Sequence, residues 1–213
     1  MEVYESEREQ LDALKSWWKQ SGKAIIIGAV LGLGSLLGWQ QWQAGTQAAR
    51  ESASLEYDVL LADLENHNYQ GVKDRGANIL EKFQGTPYVA LTALALAKVN
   101  VDEGELVAAH TYLQMVIDQS KDSQLQHVAR LRLARLMLAQ DQPQQALDLV
   151  KGVDAVGFAS AYDELNGDIH AALGNSAEAR SAYERAIAAM DAALDQTTIK
   201  MKLDDLGETE VVL

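Results

Sequence analysis

Residues 24–39, AIIIGAVLGLGSLLGW, form an unbroken apolar run in a chain that is otherwise polar and charged. No ionisable side chain occurs between Lys23 and Arg50. At the rise of an α-helix, Trp18 and Trp39 stand roughly 30 Å apart, the thickness of a bilayer's hydrocarbon core. Trp17 and Trp18 mark one end of the run and Trp39 and Trp42 the other, so all four tryptophans fall at interfacial depth. The run predicts a single transmembrane helix over residues 24–43. A soluble core helix is the poorer reading, because Gly28, Gly32, Gly34 and Gly38 would each cost it about 1 kcal/mol against alanine. Membrane helices tolerate glycine better. A cleaved signal peptide also fits poorly, since 23 residues carrying Glu2, Glu5, Glu7, Glu9 and Asp12 precede the apolar core. The GxxxG spacing of Gly28 with Gly32, and of Gly34 with Gly38, permits close packing against a second helix, although plain tolerance of glycine in a lipid-facing helix gives the same pattern.

The flanks set the expected orientation. Arg8, Lys15, Lys19 and Lys23 precede the run, and Arg50 is the first base after it. Basic residues are retained on the cytoplasmic side, which predicts a cytoplasmic leader at residues 1–23 and a domain at residues 44–206 on the far side of the membrane. Lys15, Lys19 and Lys23 share one helical face that can rest on anionic headgroups of the lipid bilayer.

The chain carries a net charge of −13. Residues 1–23 hold five acids and four bases, or −1, which leaves −12 beyond the apolar run. Such an acidic domain is not a nucleic-acid binder. The absence of cysteine excludes disulfides and thiolate metal sites. Abundant alanine, leucine and glutamine with only two prolines predict an all-α fold.

The domain also repeats itself. In GDIHAALGNSAEARSAYERAI, Gly167 and Gly174 precede Ala179, Tyr183 and Ala186. This spacing resembles the second half of a tetratricopeptide repeat. Gly167 would let the first helix approach its partner and Gly174 would end it in a left-handed cap. Ala179 would fit the helix crossing, with Tyr183 and Ala186 packing under the next unit. Stepping back from Ala179, Ala146, Ala109 and Gly76 follow at 33, 37 and 33 residues. Gly71 and Gly104 are read at the preceding turns. The first and third units are degenerate, with Gly76 in place of alanine and Leu149 or Val150 in place of the aromatic. Residues 90–99 and 128–138 read as first helices with broad apolar faces. The predicted architecture is therefore one transmembrane helix followed by a tetratricopeptide-like α-solenoid.

Helices are expected at residues 55–66 and 71–83, separated by HNYQG. Thr86 is expected to cap the next helix, which Pro87 starts. Further turns are expected at residues 102–104, 120–123, 140–143, 152–157 and 174–176. Residues 43–53 either continue the membrane helix or join it to the first hairpin. Residues 196–206 read as a capping helix and residues 207–213 as a tail.

The order of parts resembles one family: the leader MEVYE, the run GKAIIIGAVLGLGSLLGW, then LNGDIHAALGNSAEARSAYERAI with MKLDDL after it. Together they are similar to the ancillary subunits of the bacterial SecYEG translocon (the YfgM type), from Met1 to about Leu206. The resemblance implies a non-enzymatic inner-membrane protein of a Gram-negative bacterium. It implies partnership with the SecYEG translocon and with a membrane-anchored periplasmic chaperone of the PpiD type. A role in an envelope stress response, acting through a cytoplasmic partner, is the alternative it offers.

Nothing in the residues suggests catalysis, a cofactor, a metal or a small-molecule substrate. His67, His110, His127 and His170 are scattered without ligand spacing, and no nucleophile–base set is visible. If the solenoid binds a partner in its concave groove, the superfamily pattern places Leu94, Lys98, Leu131, Arg135, Glu164 and Asp168 there. Their charges run from basic to acidic along the groove, unlike an all-basic clamp for a terminal carboxylate.

Overall fold

The computed structural model describes residues 2–190 and 195–207, and all the regular structure among them is α-helical. The elements are α1 (Glu2–Glu65), α2 (Tyr69–Lys82), α3 (Pro87–Asp102), α4 (Leu106–Gln119), α5 (Ser123–Ala139), α6 (Pro143–Val150), α7 (Ala159–Ala172), α8 (Ser176–Ala189) and α9 (Thr197–Asp205). The chain divides into two compact units, Met1–Glu51 and Ser52–Leu213. Of the tail expected at residues 207–213, residues 208–213 lie outside the described residues.

In the first unit, Trp17, Trp18, Ile26, Ile27, Val30, Leu31, Leu33, Leu36, Leu37, Trp39 and Trp42 are all exposed. The tryptophans pair at each end, with ring centroids 6.5 Å apart for Trp17–Trp18 and 5.1 Å for Trp39–Trp42. A Cβ added at Gly28, Gly32, Gly34 or Gly38 would meet nothing within 4 Å. The polar side chains here satisfy themselves locally: the Ser35 hydroxyl donates to the Leu31 carbonyl (2.7 Å) and Thr46 to that of Gln43 (2.9 Å). Among the described residues no single helix is long and apolar enough to cross a membrane. Gln10–Lys23 and Ile26–Glu65, bent by 44° against each other, meet that requirement as a pair.

The second unit is an array of helical hairpins, in which α2 to α9 each pack on the next and α5 also touches α3 and α7. The same turn recurs in it. A residue in the left-handed region stands at His67, Gly104, Asp141 and Gly174 (φ 56°, 80°, 58° and 77°). At each, the following amide donates five residues back: Asn68 to Asp63, Glu105 to Asn100, Gln142 to Met137 and Asn175 to His170, at 2.7–2.9 Å. These bonds satisfy carbonyls that the helix end would otherwise orphan. Glycine suits the conformation because it has no Cβ to clash, and at the other two turns a histidine and an aspartate accept it.

The turns fix the register of the repeat. Five residues beyond them lie Val72, Ala109, Ala146 and Ala179, all fully buried. Gly76 is therefore not the first unit's counterpart of Ala179. It stands nine residues beyond its turn, the place that Leu113, Val150 and Tyr183 take in the other units. Gly71 is likewise no turn residue but sits in the first turn of α2, where its amide donates to the Asn68 side chain (3.2 Å). The sequence misplaces both because the turn at His67 carries no glycine to announce it.

Facing positions in each hairpin pair one large residue with one small. Leu60 corresponds to Gly76, Ala97 to Leu113, Ala134 to Val150 and Gly167 to Tyr183, all buried. The last pair is in direct contact, since a Cβ on Gly167 would collide with the Tyr183 ring. A Cβ on Gly76 would lie 2.8 Å from Leu96 of α3. Three apolar clusters result, centred on Leu60, Ile79 and Leu96; on α3 to α7; and on Ala179, Tyr183, Ala186 and Ile199.

The helix expected to begin at residue 55 is the last part of α1, and the other helix boundaries lie within a few residues of those expected. Thr86 is extended ahead of Pro87, but its hydroxyl donates back to the Phe83 carbonyl (2.8 Å) and does not cap α3. Asp122 does cap α5, accepting from the amides of Gln124 (2.8 Å) and Leu125 (3.4 Å).

Gly167→Ala should force the Tyr183 ring aside and cost about 1–3 kcal/mol, a fall in melting temperature of roughly 2–12 °C. An unchanged melting curve would mean that the α7–α8 contact is looser than the structure has it.

Candidate interaction groove

The six residues expected along the groove separate into three environments. Leu94 and Leu131 are buried in the core shared by α3 to α7 and present no binding surface. Lys98 and Arg135 line one cavity of about 410 Å³. Glu164 and Asp168 lie apart from that cavity, under α9.

The basic cavity is formed by the C-terminal halves of α3 and α5 with Leu113 of α4. Ala97, Val101, Leu136 and Ala139 give it apolar walls, and Arg132 adds a third cation. Lys98 donates to the Asp102 carboxylate (2.8 Å), which also accepts from the Tyr69 hydroxyl (3.1 Å). The Lys98 hydrogen bond holds the Asp102 carboxyl below the usual carboxylate range. Arg132 also acts on Tyr57, whose ring lies 5.6 Å from that of Tyr88: burial pushes the Tyr57 phenol up, and the guanidinium pulls it partly back. The sequence reading missed Arg132. It lies three residues before Arg135, close to one helical turn, so the helical period could have found it.

The acidic end is already occupied. Lys202 of α9 donates to Glu164 (2.7 Å) and to Asp168 (2.9 Å), and the Tyr183 hydroxyl donates to Asp168 (2.8 Å). Burial opposes the Lys202 charge, but its hydrogen bonds to Asp168 and Glu164 prevail and hold its pKa above the ordinary lysine value. Burial and the Asp168 hydrogen bond raise the Tyr183 phenol well above its ordinary value. Nothing local in the sequence marks this cluster, because Lys202 lies 38 residues from Glu164.

The histidines have separate surroundings. His127 sits 3.0 Å from the Tyr162 hydroxyl and against Phe158, His67 occupies a turn, and the buried Nδ1 of His170 has no hydrogen-bond partner among the described residues. Among the described residues no group of three or more potential metal ligands converges.

With this geometry in view, comparison with known proteins is informative. The model of a tetratricopeptide repeat-like domain family matches residues 15–208. A protein of Escherichia coli (strain K12) named ancillary SecYEG translocon subunit is 31% identical over 210 residues, covering 97% of this chain and all of the relative. The chain belongs to this family. A Haemophilus influenzae protein of the same name is 31% identical over 203 residues (94% of this chain, 97% of the relative). One from Aggregatibacter actinomycetemcomitans is 32% identical over 204 residues, with the same coverage. No solved structure matches. The match to the family spans the hairpin array and reaches back into the N-terminal helix, so basic cavity and apolar run both lie within it.

Lys202 and Tyr183 give the domain a defined alkaline limit. Both hold their protons more tightly folded than unfolded, so their contribution is complete below the unfolded values near pH 10. It is lost as pH rises from there through the raised folded values. Thermal stability should fall above about pH 10, and Lys202→Met should flatten that part of the profile. An identical alkaline profile in the variant would show that the α9 cluster does not couple to folding.

Proposed function

We propose that this chain is a non-enzymatic inner-membrane scaffold: an ancillary subunit of the Sec translocon that links it to periplasmic chaperones and helps hand over translocated proteins. The observation that carries the reading is the union in one chain of an uncovered apolar helix with a hairpin array that bears an open cavity. Relatives matched over nearly their whole length carry the translocon name. The uncovered face supports anchoring, because so much exposed apolar surface needs lipid or another helix to cover it. Ser35 and Thr46 support it too, since their hydroxyls bond within the helix and need no water. The bases that precede the apolar run favour a cytoplasmic N-terminus, with Ser52–Leu213 in the periplasm.

Anchoring would also explain how a shallow cavity suffices. Confinement to the membrane plane raises the effective concentration of co-resident partners, so weak contacts become productive. Tetratricopeptide-like arrays serve such contacts well because each hairpin adds surface without altering its neighbours.

Two experiments test this reading. Alkaline phosphatase fused after Leu213 should be active and fused after Lys19 inactive; the reverse pattern would overturn the orientation. In mild detergent the full chain should co-purify with the Sec translocon and a membrane-anchored periplasmic chaperone. Recovery should survive deletion of residues 2–15, whereas a regulator acting through a cytoplasmic partner would depend on that leader. Failure to recover either partner would remove the scaffold role.

A further inference from the structure

The cavity between α3 and α5 has an excess of positive charge in a unit that is strongly acidic. Residues 52–213 hold 25 acids and 13 bases, or −12. Among the described residues five of these bases are ion-paired: Lys73 to Glu103, Arg75 to Asp63 and Glu56, Lys98 to Asp102, Arg185 to Asp163, and Lys202 to Glu164 and Asp168. Arg132 and Arg135 are not among these five. Among the described residues neither guanidinium is hydrogen-bonded or ion-paired, although both line the cavity. The one carboxylate there, Asp102, is already engaged by Lys98 and Tyr69. Three cations against one carboxylate leave the site at +2.

The surroundings add a second requirement. Val101 is 43% exposed beside the arginines, and Ala97, Leu136 and Ala139 continue the apolar wall. A volume of about 410 Å³ admits a few side chains and no folded element. An inorganic anion would leave the apolar wall wet, and an apolar ligand would leave two guanidiniums unanswered. Guanidinium forks match carboxylates in a planar, paired geometry. The larger cavity, of about 700 Å³ beside α7 and α8, offers no such excess, because Asp163 and Glu178 in its lining match Lys151 and Arg185, and Arg185 is held by Asp163 and Ser181.

We propose that this cavity docks a short segment of a partner protein in which carboxylates alternate with aliphatic side chains. Arg132 and Arg135 take the carboxylates while Val101 and its neighbours cover an aliphatic group. Glu164 and Asp168 are engaged by Lys202 apart from this cavity, so the ligand's charge is set by the arginines. The biological identity of the segment's owner rests on the scaffold reading above, whereas the binding chemistry does not.

The test uses the full chain in detergent and fluorescein-labelled, end-blocked peptides in which glutamate alternates with leucine and valine. Anisotropy should saturate with this peptide, and binding should weaken as salt rises from roughly 50 to 300 mM. A lysine-for-glutamate peptide and a serine-for-aliphatic peptide should each bind at least about tenfold more weakly. Arg132→Gln with Arg135→Gln should reduce affinity about tenfold or more while leaving the melting curve unchanged, since neither side chain is bonded. Arg132→Lys with Arg135→Lys, which keeps charge and loses the fork, should lose less. The proposal fails if the glutamine variant binds as the wild type does, if the serine peptide binds as tightly, or if no peptide binds. It fails also if the glutamine variant dissociates an oligomer by light scattering, because the occupant would then be a second copy. Translocon recovery is scored separately on the wild type, so loss of the scaffold reading and loss of this site are distinguishable.

Discussion

A helical hairpin with an apolar face cannot cover that face by itself, and the array from Ser52 onward depends on each hairpin covering its neighbour. The left-handed turns at His67, Gly104, Asp141 and Gly174 hold each pair in one register. That register carries Val72, Ala109, Ala146 and Ala179 into the interior. The large–small pairing of facing residues then keeps the helices in contact although no two units use the same residues. At the end of the array α9 supplies the missing neighbour, with Ile199, Leu203 and Leu206 on the apolar side and Lys202 on the polar side. The same closure engages Glu164 and Asp168 with Lys202, so the element that completes the core also holds this acidic pair.

The helix of the first unit poses the same problem without an internal solution. Its apolar side chains from Ile26 to Leu37 that the structure describes, among them Val30, Leu31, Leu33 and Leu36, are all exposed. In the proposed reading lipid would answer this where a hairpin cannot, because a bilayer needs no register and no complementary side chains. In the scaffold reading the two units thus divide the work: one fixes where the protein resides, the other presents surface.

Local signals in the sequence carried most of the fold. Turn residues and prolines placed the helices to within a few positions, and the spacing of Ala109, Ala146 and Ala179 revealed the repeat. The first unit was misread because its turn uses His67, and Gly71 and Gly76 drew the register four residues astray. The groove was less legible, since a helical period cannot say whether an apolar residue faces a groove or a core. Leu94 and Leu131 fell on the core side, while Arg132 was passed over one turn from Arg135. The engagement of Glu164 and Asp168 by Lys202 is a long-range contact that no local pattern encodes.

The central claim is that stability in Ser52–Leu213 passes from hairpin to hairpin and ends at α9, and amide hydrogen exchange on the full chain in detergent tests it most directly. Comparing the wild type with Lys202→Met, faster exchange should be confined to α7, α8 and α9, with α2 to α4 unchanged. Faster exchange throughout α2 to α9 would contradict the account, because it would mean one indivisible core in place of a chain of neighbours.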